Sequence, residues 1–589
     1  MGADLKTDPK AASSSTSLDQ TTINTPAVSK EEYNDSPSSS SGIETKDADA
    51  RPRADSDISS TSDIKPDTEA PAPMFHKPPP RDFWLIMVAL ILCVFLASLD
   101  QIIVSTSIPA ITKEYNALSQ ISWLFTAYLL TATSFQPLYG KFSDIFGRKA
   151  TMLFANVMFL VGSAVCGWAT TMNMLIVGRA VAGLGAGGLM AMVFIILSDM
   201  LDMRERGKYI GFVGAVFSFS SVIGPLLGGA FTDHVTWRWS FWINLPFGVI
   251  SIAFIAIFLN LPMPKGSLQD KLKRIDVIGS ITLLCTVILL LLPLSWGGTE
   301  YPWSDGRIIG MLVAGFVMVG VFIIIEWKIP REPIVPIHLF KIRNLWSTYG
   351  SLFFNGMAFF GMLSYLPVYF QVVKGESATV GGLETIPFVV GIVFTSIGSG
   401  IWIMKKGTYR FFPAIGNVLF AAGAALCILF EKDTPRVATI FILLVCGLGI
   451  GSTFQASTLA VQVAVKPKYM ATVTASVQFI RSLGQVFGVA IVGTVFNNKV
   501  TESLEERFPN DSNILYVTKN YEFINKYLPA QQHMIFDSFI IGLHYSFYCS
   551  IAFCVAAFIS SLFIQHLELK TNANTGGPAQ KPEMAVEMV

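Results

Sequence analysis

Long apolar runs, separated by short polar segments, occupy most of the chain from about residue 83 onward. They fall at 84–108, 121–139, 151–169, 174–197, 209–231, 239–259, 275–294, 308–327, 347–372, 381–403, 411–430, 437–463, 474–496 and 540–564. The hydrocarbon core of a bilayer is about 30 Å thick and a helix rises about 1.5 Å per residue, so roughly 20 apolar residues make one crossing. Fourteen membrane helices are therefore expected, in an all-α polytopic membrane protein. Composition agrees, with hydrophobic residues at 52% and charged ones at 14% of the chain. That balance excludes an ordinary globular domain.

Residues 1–82 are a different material, rich in Ser, Thr, Asp, Lys and Pro, with runs at Ser38–Ser41 and Pro78–Pro80. So few apolar groups cannot offset the entropy of ordering, and a disordered tail is expected. It lacks the short apolar core of a secretory signal, which leaves the first membrane helix to direct insertion. Ser56, three residues after Arg53, is a candidate phosphorylation position; the alternative is a merely solvated tail.

Lys and Arg set the orientation, because cytoplasmic loops near helix ends retain positive charge. Loops after even-numbered helices hold nineteen of them, from Lys141, Arg148 and Lys149 through Arg204, Arg206 and Lys208 to Lys466 and Lys468. Short loops after odd-numbered helices hold six: Lys113, Arg238, Arg307, Lys374, Lys432 and Arg436. Both termini are thus expected in the cytoplasm. The longest loop, 497–539, then faces outward or into a lumen, and it carries the glycosylation sequon Asn510-Asp511-Ser512.

Little in the chain suggests catalysis. The seven cysteines all lie in apolar segments with none in a C-x-x-C pair, the six histidines lack metal-ligand spacing, and no phosphate-binding loop is present. Neither an enzyme, a metal, a cofactor nor a nucleic-acid partner is expected, and the net charge of +1 adds nothing about partners. Uphill movement of a solute would need an ion gradient or a partner.

Between the second and third helices stands Gly140-Lys141-Phe142-Ser143-Asp144-Ile145-Phe146-Gly147-Arg148-Lys149. Taken by itself it is a tight basic turn, with Asp144 and Arg148 at a helical spacing that lets them pair. The ordered set Gly140, Asp144, Gly147, Arg148 and Lys149 resembles the signature loop of the major facilitator superfamily. That resemblance implies a cytoplasmic latch, made by Asp144 and Arg148 against helix ends of the opposite half. A second segment has Gly211 and then Ser220-Ser221-Val222-Ile223-Gly224-Pro225-Leu226-Leu227-Gly228-Gly229. Pro225 should bend its helix, and Gly224 and Gly228 should admit a neighbouring backbone; ordinary packing would suffice to explain both. The run also resembles the antiporter motif of the superfamily's exporters, from which Ser220 departs by replacing a glycine.

Three further stretches are similar to the fungal fourteen-helix drug:proton antiporter branch: Leu96 to Pro109 around Asp100 and Gln101, Trp237 to Pro246, and Tyr365 to Gly375. The resemblance implies the major facilitator fold, with six-helix halves at 83–260 and 347–564. It also implies a linking pair of helices within 261–346 and a cytoplasmic tail at 565–589. No second copy is called for, and a monomer is expected.

A charged side chain at the bilayer centre costs at least about 2.5–3.5 kcal/mol on insertion scales, so each one requires a partner, water or a role. Asp100 lies deep in the first helix, beside Gln101 and Ser105. Two readings stand: a proton carrier in a partly dry cavity, or a tether for the helix. Arg179, in Gly178-Arg179-Ala180-Val181-Ala182-Gly183, resembles the branch's fourth-helix motif, where an Arg is implicated in proton transfer. Always charged, it can only tune a carboxylate, and an electrostatic link to Asp100 is expected. Thr474, Gln478, Arg481 and Gln485 share one helical face, as do Ser452, Gln455 and Gln462, so both stripes should face the bundle interior or a wet cavity. Arg481 also resembles the start of the branch's Arg-Ser-Leu-Gly run, which implies the cytoplasmic gate as the alternative place for it. Gln136, Asn355 and His544 are further intramembrane polar groups, the His more simply a packed residue than a relay.

The function the resemblance implies is proton-coupled export of lipophilic or amphipathic drugs, toxins or secreted metabolites at the plasma membrane. Vacuolar transport of basic amino acids is one alternative, and a transporter-like nutrient sensor is another. The partners expected are protons, a small-molecule substrate and the lipid bilayer.

Overall fold

The computed structural model describes residues 79–569, apart from 116–119, 265, 299, 329–331, 510, 512–513, 515, 520–523 and 525–526. Ser56, Asn510 and both expected tails up to 78 and from 570 lie outside the described residues. Among the described residues fourteen long helices follow one another: α1 (Pro80–Tyr115), α2 (Ile121–Phe146), α3 (Arg148–Gly167), α4 (Met172–Met200), α5 (Met203–His234), α6 (Asn244–Phe258), α7 (Val277–Trp296), α8 (Gly306–Lys328), α9 (Arg343–Val368), α10 (Ile386–Lys406), α11 (Phe411–Leu426), α12 (Arg436–Val463), α13 (Met470–Arg507) and α14 (Pro529–Leu562). The protein is all-α among the described residues, and thirteen segments are long and apolar enough to cross a membrane. The long helix outside that set is α2, with 26 residues. Its polar positions, among them Thr126, Thr133 and Gln136, line an internal cavity and dilute its apolar content.

Two interior clusters organise the packing. One gathers Leu90 of α1, Phe159 of α3 and Ile195 of α4; the other gathers Met362 of α9, Phe420 of α11, Cys446 of α12 and Phe539 of α14. Small residues let backbones approach: a Cβ at Gly162 of α3 would overlap Ala182 of α4, and one at Gly488 of α13 would overlap Met357 of α9. Helices α1–α6 pack mainly among themselves, as do α9–α14, and the two groups meet where α5 lies along α10 and α12, and where α2 and α4 lie along α13. The pair α7 and α8 packs together, and α7 also lies against α2 and α13. Exposed Val313, Phe316, Val317 and Ile324 give α8 an apolar outer face suited to lipid.

The loop expected at 497–539 is shorter than its polarity suggested. Helix α13 runs on to Arg507, and α14 begins at Pro529. Residues 497–507 alternate by helical turns rather than by a continuous apolar run. Val500 and Leu504 are buried beside Ile535 and Phe539, and Ser503 Oγ donates to Ser538 Oγ at 2.9 Å. Glu502, Glu505 and Glu506 occupy the outer face.

Candidate transport cavity and its gates

A cavity of about 350 Å³ lies between the two helix groups. Ala97 and Gln101 of α1, Tyr128 and Gln136 of α2, and Gln478, Arg481 and Gln485 of α13 contribute to its wall. It extends to Trp303, in the turn between α7 and α8, and to Asn497 and Asn498, all at the end remote from the Gly140–Lys149 loop.

At the loop end the groups close on each other. A Cβ at Gly211 of α5 would stand 2.6 Å from the Ser396 carbonyl of α10, and one at Gly140 of α2 would stand 2.8 Å from Ala475 Cβ of α13. The ring of Phe194 on α4 meets that of Phe454 on α12 at 5.8 Å. Arg206 of α5 donates to Gln462 Oε1 of α12 at 3.1 Å, and Gln462 Nε2 donates to Thr474 Oγ1 at 3.0 Å. Gln455, beneath the Gly211 crossing, donates to the Ser396 carbonyl and to Ser399 Oγ. The two groups thus meet at the loop end and leave a cavity that reaches the other end.

Asp100 and Arg179 form an ion pair of 2.6 Å in which neither side chain is exposed. The other Asp100 oxygen accepts from Asn244 Nδ2 at 3.0 Å, and that nitrogen also donates to Ser163 Oγ at 3.1 Å. Arg179 Nε donates to the Leu124 carbonyl at 3.1 Å, and the guanidinium lies 4.1 Å from the centre of the Tyr128 ring. Asp100 is not in the cavity wall, whereas Tyr128 is. The carboxyl thus sits behind an aromatic partition rather than in the partly dry cavity of the carrier reading, and its bonds to Arg179 and Asn244 are of the kind the tether reading describes. Asn244, not among the candidates read from the sequence, supplies the second bond to Asp100; the signal was its place in the Trp237–Pro246 segment.

The Asp144 loop is wired within its own group. Gly147 has φ 94°, a backbone state that disfavours side chains. Arg148 Nη1 donates to Asp144 Oδ1 at 2.6 Å and Nε to Asp199 Oδ2 of α4 at 2.7 Å. Lys149 Nζ reaches Asn260 at 3.3 Å. The expected latch across the halves is therefore not made by the Asp144–Arg148 pair in this conformation. Gly140 and Arg206 make that crossing, because they stand where α2 and α5 directly abut α13 and α12.

The α5 glycines divide by position. A Cβ at Gly224 would stand 3.2 Å from Ile102 Cγ2, and one at Gly228 would stand 2.5 Å from the Ile103 carbonyl, so both seat α5 on α1. Gly229 meets nothing within 4 Å. Pro225 lies inside the helix and removes one ladder bond. Ser220 Oγ returns to the Val216 carbonyl at 2.9 Å. Asn355 donates to Asn417 at 2.8 Å and ties α9 to α11. His544 Nε2 lies 3.3 Å from the Phe430 carbonyl, a packing contact.

At the remote end, Arg238 binds Glu114 with distances of 3.1 and 2.7 Å, and Trp237 Nε1 donates to the same carboxylate at 2.8 Å. The Arg238 hydrogen bond holds the Glu114 carboxyl below its ordinary range.

A many-helix body enclosing a cavity between two groups, closed at one end, defines an integral multi-pass membrane transporter. The chain belongs to the Major Facilitator Superfamily, whose family model matches residues 90–489. It is 34% identical to the MFS-type efflux transporter ffsH of Aspergillus flavipes, over 89% of this chain and 91% of that one. It is 33% identical to the efflux pump FUS6 of Gibberella fujikuroi, over 89% and 98% respectively. Among solved structures, the human organic anion transporter MFSD10 superposes with a TM-score of 0.55, covering 83% of this chain and all of that one. At 14% identity that likeness speaks for the fold alone. The family makes the protein a transporter of small molecules and not an enzyme.

Proposed function

We propose that the protein is a proton-coupled antiporter that exports lipophilic or amphipathic drugs, toxins or secreted metabolites. The observation that carries this reading is the cavity of about 350 Å³, shut at the loop end and reaching the remote end. The Lys and Arg distribution puts the loop end in the cytoplasm with both termini, so this is the outward-open stage. The plasma membrane is the proposed site, with the vacuolar membrane as alternative, and a monomer is the proposed state. The relatives' names, efflux transporter and efflux pump, favour the same direction.

One proton moving down about 100 mV yields about 2.3 kcal/mol, and each pH unit adds about 1.4 kcal/mol. Together these sustain a solute gradient of several-hundredfold at about 1.4 kcal/mol per decade. Asp100 is the proposed carrier. In the present stage a proton would compete there with Arg179 and Asn244, so loading requires that this pair open elsewhere in the cycle. Sealed vesicles with an imposed pH gradient test the proposal: a lipophilic dye should move against the proton flux and stop when the gradient is collapsed. Transport of arginine or lysine in its place would favour the vacuolar amino-acid reading.

A further inference from the structure

Among the described residues, Arg481 is the one charged side chain in the cavity wall. The two arginines buried most completely have acceptors: Arg179, behind Tyr128, has Asp100, and Arg206, at the closed loop end, has Gln462 and the carbonyls of Ser198 and Leu201. Arg481 has no carboxylate or carbonyl within hydrogen-bond reach among the described residues, and its Nε is buried without a partner. Its contact is the face of Phe454, with the guanidinium 4.1 Å from the ring centre. The backbone beneath it is pinned, because Gly356 of α9 approaches the Arg481 carbonyl closely.

The rest of the wall lacks a counter-ion. Phe125, Phe217 and Phe360 make it apolar, and Gln136, Gln478 and Gln485 add amides, but among the described residues no carboxylate lines it. Gln136 Oε1 and Gln478 Nε2 are themselves unpartnered. A guanidinium stays protonated at any working pH, is weakly hydrated, and presents a planar fork that fits a carboxylate in two parallel bonds. Water excluded by such a wall would strengthen that attraction and equally repel a second cation.

We infer that the cavity selects amphipathic organic anions, molecules with an apolar body and one acidic group, whose charge Arg481 receives as its counter-ion. The inference rests on the transport reading above and narrows its substrate class. It also separates the two families of solute left open by the sequence, since a basic amino acid would place a second cation beside Arg481.

The test uses the full chain in lipid nanodiscs and three dansyl probes of similar body: dansyl-6-aminohexanoate, its methyl ester, and dansylcadaverine. The carboxylate should bind about tenfold tighter than the ester, with the cation weakest. Arg481→Gln should bring carboxylate and ester within about twofold of each other. Gln485→Glu places a carboxylate one turn from Arg481 and should erase the same preference by internal pairing, which covers the case in which Arg481→Gln does not fold. Equal or tighter binding of ester or dansylcadaverine to the natural chain would overturn the inference, as would a preference that persists in either folded variant. Proton-driven vesicle transport of the ester with no carboxylate preference would sink the anion selectivity and leave the exporter standing. An Arg481-dependent preference in binding, with no gradient-driven movement of any probe, would do the reverse.

Discussion

Arg206 and Gln462 join the two helix groups through a hydrogen bond of 3.1 Å in which neither side chain reaches solvent. The Ser198 and Leu201 carbonyls hold the same guanidinium on its own side, so one nitrogen is left to cross. A hydrogen bond to a charged group contributes about 1.5–3 kcal/mol, which corresponds to about 10–100-fold in a two-state ratio. Gln462→Leu is therefore expected to favour opening at the loop end. A cysteine at Ala475, now covered by Gly140, should react with a methanethiosulfonate at least about tenfold faster in that background. Unchanged labelling would remove Gln462 from the gate.

The Asp100–Arg179 pair calls for a double substitution. Removing one partner of a buried pair costs about 3–5 kcal/mol, because the survivor is left charged and unpaired. Asp100→Asn and Arg179→Gln should each lower the melting temperature of the purified protein sharply, and the double variant should recover much of the loss. Silence in Asp100→Asn alone thus says little about protons. In the double variant, pH-driven uptake should vanish while solute exchange down its own gradient persists; proton-driven uptake there would exclude Asp100 as carrier.

Much of the fold was legible because lipid imposes one rule, that backbone polar groups be satisfied within a helix. The apolar stretches all fall on helices, and the one most diluted by polar residues, on α2, is diluted by the side chains that line the cavity. The 497–507 segment misled for a local reason: its packed face holds Val500 and Leu504, yet charges around them lower the running average. Site residues were less legible. The residue types of Asp100 and Arg179 forecast their link, since each buried charge needs the other. Nothing in one sequence could say that Tyr128 stands between that pair and the cavity, or that Asp199 rather than the opposite half holds Arg148. Arg206 reads from the sequence as one more orienting charge and not as a gate, because a basic residue in a basic loop carries no mark of burial.

The Glu114 clamp supplies a pH dependence with a definite sign. Its carboxyl is held low by the Arg238 hydrogen bond, so its contribution is present above the unfolded value of about 4.3 and is lost as pH falls through the folded value. Glu114→Gln should therefore melt below the natural chain at pH 7, and the two curves should converge as the pH is taken below about 4. The difference should be small, since Glu114 is 41% exposed and water screens the pair. A gap that widens in acid would contradict the assignment.

Two glycines of the same helix should behave oppositely. Gly211 has the Ser396 carbonyl 2.6 Å and Gln455 Oε1 3.0 Å from where a Cβ would lie, so any side chain there must part α5 from α10. Gly224 and Gly228 still seat α5 on α1, and Gly211→Val is expected to fold while failing to close the loop end. Spin labels at Lys208 and Lys405 should then report a longer separation, and transport should fall about tenfold or more, since closing now opposes a steric clash of one to three kcal/mol. At Gly229, with nothing within 4 Å, alanine meets no obstacle and favours the helix by about 1 kcal/mol. Gly229→Ala should transport normally and melt no lower. Loss of transport at Gly229 with none at Gly211 would mean that this motif acts through something other than the meeting of α5 with α10.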